Sequence, residues 1–302
     1  RLDLKGANYC LDAACASSLL CVEHACRDLR HGQCDAVIAG AAQLSANHLV
    51  LMVFSQLGAL SRSLGIRPFD ANADGTLLGE GVGMVVLKRR SDAERDGNRI
   101  YSVIKGVGSS SDGRAKSIVA PRIEGEELAL QRAYEDAGVD PATIGMIEAH
   151  GTSIPLGDAA EIEALTRLFG QRNGRSKLCG IGSVKSMIGH LIPAAGIAGL
   201  IKTALSLYHK TLPPTIHCDQ PDPKLYLENT PFYINTKSRP WIVASAFSVQ
   251  LPARGYGKGR SALAMRSSTG PIRENSTRHG EPSKHSRIDN RPREDSVEPN
   301  GV

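Results

Sequence analysis

The sequence has 302 residues, 41% hydrophobic and 22% charged, the balance of a globular chain long enough to bury a sizeable core. Aromatic residues make up 4% and glycines number 31, a mix that suits close helix–strand packing and tight turns. A net charge of +5 without interleaved basic and aromatic residues argues against nucleic acid as a partner.

In chain order, residues 5–11 read as a strand, with Ala7, Tyr9 and Leu11 alternating. Residues 15–30 read as a helix whose apolar face is Leu19, Val22, Cys26 and Leu29. Residues 35–39 form a short apolar run ending at Gly40, a buried strand. Residues 44–66 are mixed and read as a loop with short helices lying over the site. A second buried strand, 82–87, follows the glycine-rich Leu78-Gly79-Glu80-Gly81, and a third covers 101–108. A helix over 125–137 stops at Gly138. Strand 144–149, helix 158–169, strand 178–182 and a long apolar helix 197–208 complete the series, before Pro213-Pro214. Strands alternating with helices indicate α/β layers.

From residue 242 the character changes. Residues 242–302 read as a divergent tail, and 265–302, dense in Arg, Ser, Glu, Asn and Pro, read as disordered. No apolar run approaches the ~18 residues of a membrane span, so none is expected. Seven cysteines, an odd number with no Cys-x-x-Cys pair, fit no disulfide scaffold and point to a reducing, cytoplasmic setting. The chain opens on Arg1 and reads as a fragment, so missing targeting signals carry no weight.

Cys15 stands where the first strand gives way to a helix. A thiol in the first helical turn faces unpaired N–H groups and the positive end of the dipole, both favouring thiolate. Alone, such a cysteine is more often a small buried apolar residue. Two histidines change the balance. His150 follows an apolar strand in Glu148-Ala149-His150-Gly151-Thr152, and His190 closes Lys185-Ser186-Met187-Ile188-Gly189-His190. Side chains at strand ends of α/β proteins point into the ligand crevice. Asp158 and Glu161 open the following helix, where acids are favourable without any catalytic duty. No His-x-x-x-His or Cys/His pair has ligand spacing, so a metal site is not expected.

Taken together, Asp12-Ala13-Ala14-Cys15-Ala16-Ser17-Ser18, Glu148-Ala149-His150-Gly151-Thr152, Gly157-Asp158 and Lys185-Ser186-x-x-Gly189-His190 resemble the β-ketoacyl synthase (ketosynthase) family. Arg67-Pro68-Phe69-Asp70, Ala73-Asp74-Gly75 and Gly79-Glu80-Gly81-x-Gly83 belong to the same pattern, which runs in order over residues 5–241. The stretches Ser109-Ser110-Ser111-Asp112-Gly113 and Thr230-Pro231-Phe232-Tyr233-Ile234-Asn235 resemble type I polyketide synthases more than free-standing fatty-acid enzymes.

The resemblance implies a thiolase-like, five-layered α/β fold of two similar halves, incomplete at both ends here. Residues 1–110 would be the remainder of the first half and 111–241 the second, in a homodimer whose strand before Cys15 pairs across the dimer axis. It implies an acyltransferase that performs decarboxylative Claisen condensation. Cys15 would be acylated, and His150 and His190 would act on a malonyl group carried by the phosphopantetheine of an acyl carrier protein. Lys185 and Glu161 resemble the family's supporting ion pair, Asp158 lies beside them, and Thr152 matches a residue touching the pantetheine arm. The second such position, commonly Thr, is Ile154. No cofactor is implied for the chain itself, and the pathway would be polyketide or fatty acid biosynthesis. The family's glycine-rich motif expected after Trp241 is replaced by Val243-Ala244-Ser245-Ala246-Phe247-Ser248-Val249-Gln250. That departure opens a second reading, a ketosynthase remnant that only dimerises or binds a carrier protein. A degradative thiolase would need a second cysteine as base, and Cys179 and Cys218 lack the glycine-rich surroundings for it.

Overall fold

The computed structural model describes residues 3–44, 47–113, 121–170, 179–241, 247–250 and 259–268. A single turn of 3-10 helix, Ala14–Ala16, leads into helix α1 (Ser17–Arg30). Strand β1 (Ala36–Gln43), helix α2 (His48–Gln56) and strand β2 (Gly81–Lys88) follow, and β1 pairs with β2 antiparallel, Ala36 opposite Lys88. Next come helix α3 (Arg90–Arg95), strand β3 (Ser102–Ser111), helix α4 (Ile123–Ala137), strand β4 (Ile144–Glu148) and helix α5 (Pro155–Phe169). Strand β5 (Cys179–Gly182), helix α6 (Lys185–Ile188) and helix α7 (Ala195–His209) carry the chain to the paired two-residue strands β6 (Thr211–Leu212) and β8 (Arg239–Pro240). Strand β7 (Phe232–Ile234) lies between those two, and β9 (Phe247–Gln250) and β10 (Gly259–Ser267) end the series.

The main sheet has six strands in the order β3-β10-β9-β4-β5-β7. Its two faces follow the side-chain period of two. Ile147, Ile181, Ala262 and Ala264 pack with Leu130 and Ala133 of α4 and Ile162 and Leu165 of α5. Met146, Leu263 and Met265 face the other way, onto Leu19 and Val22 of α1 and Ile197 and Leu200 of α7. Beyond α1 and α7 lies the β1–β2 pair, whose inward Val37, Ala39, Val85 and Leu87 join the same cluster. The described residues thus form four layers, and the outward Ile38, Val82, Met84 and Val86 of β1–β2 are exposed. No helix among the described residues is long and apolar enough to cross a membrane.

Three expectations fail here. Strand β2 is not buried, because alternate residues Val82, Met84 and Val86 face outward, away from the α1–α7 layer. Residues 5–11 form no strand. The ladder expected for them lies on a second copy; within one chain no strand among the described residues offers it, and Leu4 and Tyr9 are exposed. The tail expected from residue 242 is interrupted by β9 and β10, which lie at the centre of the main sheet. Pairing with β3 and β4 supplies the backbone partners that the local composition does not advertise. The rest of that tail lies outside the described residues.

Arg260 of β10 explains how a polar stretch enters the sheet. Its guanidinium, 1% exposed in the side chain, grips both carboxylate oxygens of Asp112 at 2.5 and 2.7 Å and reaches Glu126 at 2.6 Å. The fork geometry satisfies a charge that would otherwise be costly to bury. Arg260→Ala leaves two buried carboxylates without their cation, and urea unfolding should show a loss of about 3–5 kcal/mol. A loss below about 1 kcal/mol, the worth of a surface pair, would show that β10 does not depend on this contact.

Candidate active site

Cys15 sits in the 3-10 turn immediately ahead of α1, and is buried. Ala14 holds φ at +48°, a conformation that non-glycine residues seldom adopt. Hydrogen bonds hold it there. The Ala14 N–H donates to Asp12 Oδ1 at 2.8 Å, and Ser17 Oγ donates to the Ala14 carbonyl at 2.7 Å. The apolar face of α1 then locks the turn against the core through Leu19, Val22 and Leu29. Helix α7 crosses close by. A Cβ on Gly196 would lie 2.6 Å from Leu19 Cγ, and the Ile197 N–H donates to Ser18 Oγ at 2.9 Å.

His190 reaches the same place from beyond α6. Its main chain is held by the segment before β2: His190 N–H donates to Leu77 O at 2.7 Å, and Gly79 N–H donates to His190 O at 3.1 Å. The glycine-rich Leu78–Gly81 stretch is therefore a dock for the His190 loop. His190 Nε2 lies 3.2 Å from Cys15 Sγ. Its Nδ1 accepts the Ile192 N–H at 3.3 Å, which places the ring proton on Nε2, facing the sulfur. Burial, and secondarily the Lys185 charge, holds the His190 pKa well below 6.5, so the ring is neutral at physiological pH.

His150, two residues past the end of β4, stands edge-on to His190, with ring centroids 5.4 Å apart and planes at 88°. Its main chain is gripped from both sides. The N–H groups of His150, Gly151 and Thr152 donate in turn to Glu161 Oε1 at 2.5 Å, Glu161 Oε2 at 2.9 Å and Asp158 Oδ1 at 3.1 Å. Asp158 Oδ2 also accepts the Phe69 N–H at 2.9 Å. Opposite them, Lys185 Nζ donates to the His150 carbonyl at 2.5 Å. Gly151, at φ +39°, is required here because a Cβ would lie 2.7 Å from Ser183 Cβ. Burial pushes the Asp158 carboxyl up to about 7 and the Glu161 carboxyl up to about 8, against the pull of their N–H donors. Burial likewise lowers the Lys185 pKa, opposed by the carboxylates around it.

Cys15, His150 and His190 thus meet, from chain segments far apart in sequence. Asp158 and Glu161 are neither helix-start decoration nor reacting groups: they gather the N–H groups of the turn that presents His150. The expected Lys185–Glu161 ion pair is not a direct contact. Each group directs its hydrogen bonds to opposite ends of the same main-chain turn. Thr152, the last residue of that turn, is buried, and Ile154 caps the start of α5 with its carbonyl accepting the Gly157 and Asp158 N–H groups.

Sequence reasoning missed one pair. Glu148 Oε2 lies 2.6 Å from Lys202 Nζ, with side-chain exposures of 2% and 10%, while Glu148 Oε1 accepts the Val184 N–H at 2.7 Å. The available signal was the strand period, since Glu148 and His150 are two apart and share a face.

Comparisons with known proteins identify the family. The family described as beta-ketoacyl synthase, N-terminal domain, matches residues 1–93, and beta-ketoacyl synthase, C-terminal domain, matches residues 101–219. A polyunsaturated fatty acid synthase polypeptide of Thraustochytrium sp. is 46% identical over 246 residues, 80% of this chain and 9% of that protein. Polyketide synthase PksN of Bacillus subtilis is 40% identical over 235 residues, 78% of this chain and 4% of that protein. Among solved structures, a ketosynthase from module 6 of the Bacillus subtilis bacillaene synthase superposes with a TM-score of 0.82 at 35% identity, over 86% of this chain and 47% of that one. An oxazolomycin ketosynthase domain from Streptomyces albus gives 0.84 at 35%, over 89% and 48%. The chain spans about half the length of these solved ketosynthases and less than a tenth of those two synthases. Both halves of the match, the shared α/β thiolase-like arrangement and the order of the motifs make this chain a member of the β-ketoacyl synthase family, part of a ketosynthase domain of the polyketide synthase type.

Proposed function

We propose that this chain carries the reaction centre for decarboxylative Claisen condensation in polyketide or fatty acid biosynthesis. The observation that carries the reading is the 3.2 Å approach of His190 Nε2 to Cys15 Sγ, with the His150 ring beside it. The Cys15 thiolate attacks the carbonyl of an acyl thioester, and the carrier thiol leaves. A malonyl group then enters on the phosphopantetheine arm of an acyl carrier protein. Its C–C bond to the carboxylate breaks, carbon dioxide leaves, and the electron pair moves onto the thioester oxygen. Imidazole N–H groups suit that oxygen, because donors placed before charge develops are worth about 3–4 kcal/mol each in a dry site. The enolate carbon attacks the acyl-Cys15 carbonyl, the chain gains two carbons, and the thiolate is released.

By family likeness, Thr152 would be the residue that touches the pantetheine arm. Its neighbour Ile154 lacks a hydroxyl and removes one hydrogen bond from that contact. The reading includes a homodimer, for which the exposed apolar Leu4, Tyr9, Leu49 and Met52 are suited surface. It includes a reducing, cytoplasmic setting, in keeping with seven cysteines of which none is in a disulfide.

Two variants test it. With a radiolabelled acyl thioester, Cys15→Ser should retain no label on the protein, while malonyl thioester still releases carbon dioxide; label retained by the serine variant at the wild-type level would remove Cys15 from the reaction. His190→Ala should slow carbon dioxide release by about 10²–10³, the usual cost of one lost oxyanion donor. Release at the wild-type rate would contradict the donor role.

A further inference from the structure

We propose that Glu148, clamped by Lys202, is a positioning residue for Lys185 and through it for the main chain that presents His150. The inference rests on the proposed reaction only for its kinetic consequence; its electrostatic content stands on the side chains themselves.

Glu148 ends β4, two residues before His150. One carboxylate oxygen takes the Val184 N–H, the residue that caps α6 and immediately precedes Lys185. The other oxygen meets Lys202, which arrives from α7. Lys185 is 3% exposed and ends on the His150 carbonyl. Glu148 therefore fixes the start of the short helix from which Lys185 projects, and its negative charge favours the Lys185 ammonium.

The groups around Lys185 are Glu148 from β4, Asp158 and Glu161 from α5, Cys15 from the turn before α1, and His190 beyond α6. Asp158 and Glu161 are held up by burial to about 7 and about 8, so near neutrality they are incomplete counter-charges. Among the anions, Glu148 contributes most to keeping Lys185 protonated. Lys202 competes for the same carboxylate. It also lines a groove of about 690 Å³ between β2 and α7, so a methionine there meets open space. Glu148 thus pairs directly with Lys202 and acts on Lys185 through its charge, and the balance between them sets how firmly Lys185 keeps its proton and its hold on His150.

The test reads Lys185 directly, through the pH titration of its Nζ signal in ¹⁵N-lysine NMR of the whole chain. Removing a nearby anion disfavours an ammonium, so Glu148→Gln should lower the Lys185 midpoint by on the order of one pH unit. Lys202→Met frees the glutamate for Lys185 and should raise the midpoint. Shifts in opposite directions are what a purely structural role would not produce. The double variant E148Q/K202M buries no odd charge and carries the test if a single variant fails to fold; its midpoint should also fall. Midpoints unchanged from wild type, or moved in the same direction by both single variants, would overturn the proposal. A kinetic arm follows carbon dioxide release from malonyl thioester, whose alkaline limb should move with the midpoints. Absence of release from the wild-type chain would count against the proposed reaction, while the NMR midpoints would still decide the role of Glu148.

Discussion

The site depends on the burial of ionisable groups around one turn of main chain. Residues 150–152 present three consecutive N–H groups to two carboxyls on α5, and the His150 carbonyl to an ammonium from α6. Removing any one partner would leave a buried polar group unsatisfied, and that penalty fixes the turn more firmly than loop packing could. The consequence is a histidine ring held edge-on to His190, whose Nε2 meets Cys15, although the three belong to different elements.

Close backbone approach is the second requirement. Gly196 lets α7 cross α1 directly behind Cys15, and Gly151 lets the His150 turn lie against Ser183. Both pairs of neighbours are themselves tied by hydrogen bonds, Ser18 Oγ to the Ile197 N–H and Ser183 Oγ to the Gly151 carbonyl. Cys15, His150 and His190 are thus built on rigid elements, with positive φ at Ala14, Phe69, Ser153 and Ile192 around them. On the proposed reading this rigidity has a purpose: charge appears only transiently on the substrate oxygen, so the donors must be in place beforehand.

Much of this was legible in the sequence because it is local. The apolar spacing of α1, the strands at β1, β2, β4 and β5, and the grouped Cys15, His150 and His190 were all marked by runs of a few residues. What was not legible depends on partners distant in the chain. Residues 5–11 alternate like a strand but find no ladder within one chain. β9 and β10 look like part of a polar tail, yet β3 and β4 supply their pairing and Asp112 and Glu126 accept Arg260. The Lys185–Glu161 contact implied by family likeness resolves into two separate grips on one turn. Glu148 was in view as part of a motif, but its counter-ion comes from the middle of α7, where an isolated lysine in an apolar helix gives no sign of its partner.

At the centre of the site, His190 faces Cys15 as a neutral imidazole with its proton on Nε2. Ring ¹⁵N chemical shifts of His190, followed from alkaline pH down through 6.5, test this most directly. One acceptor-type Nδ1 and one protonated Nε2 are expected throughout that range, with imidazolium forming only well below it. A ring that titrates near 6.5, or that carries its proton on Nδ1, would contradict it.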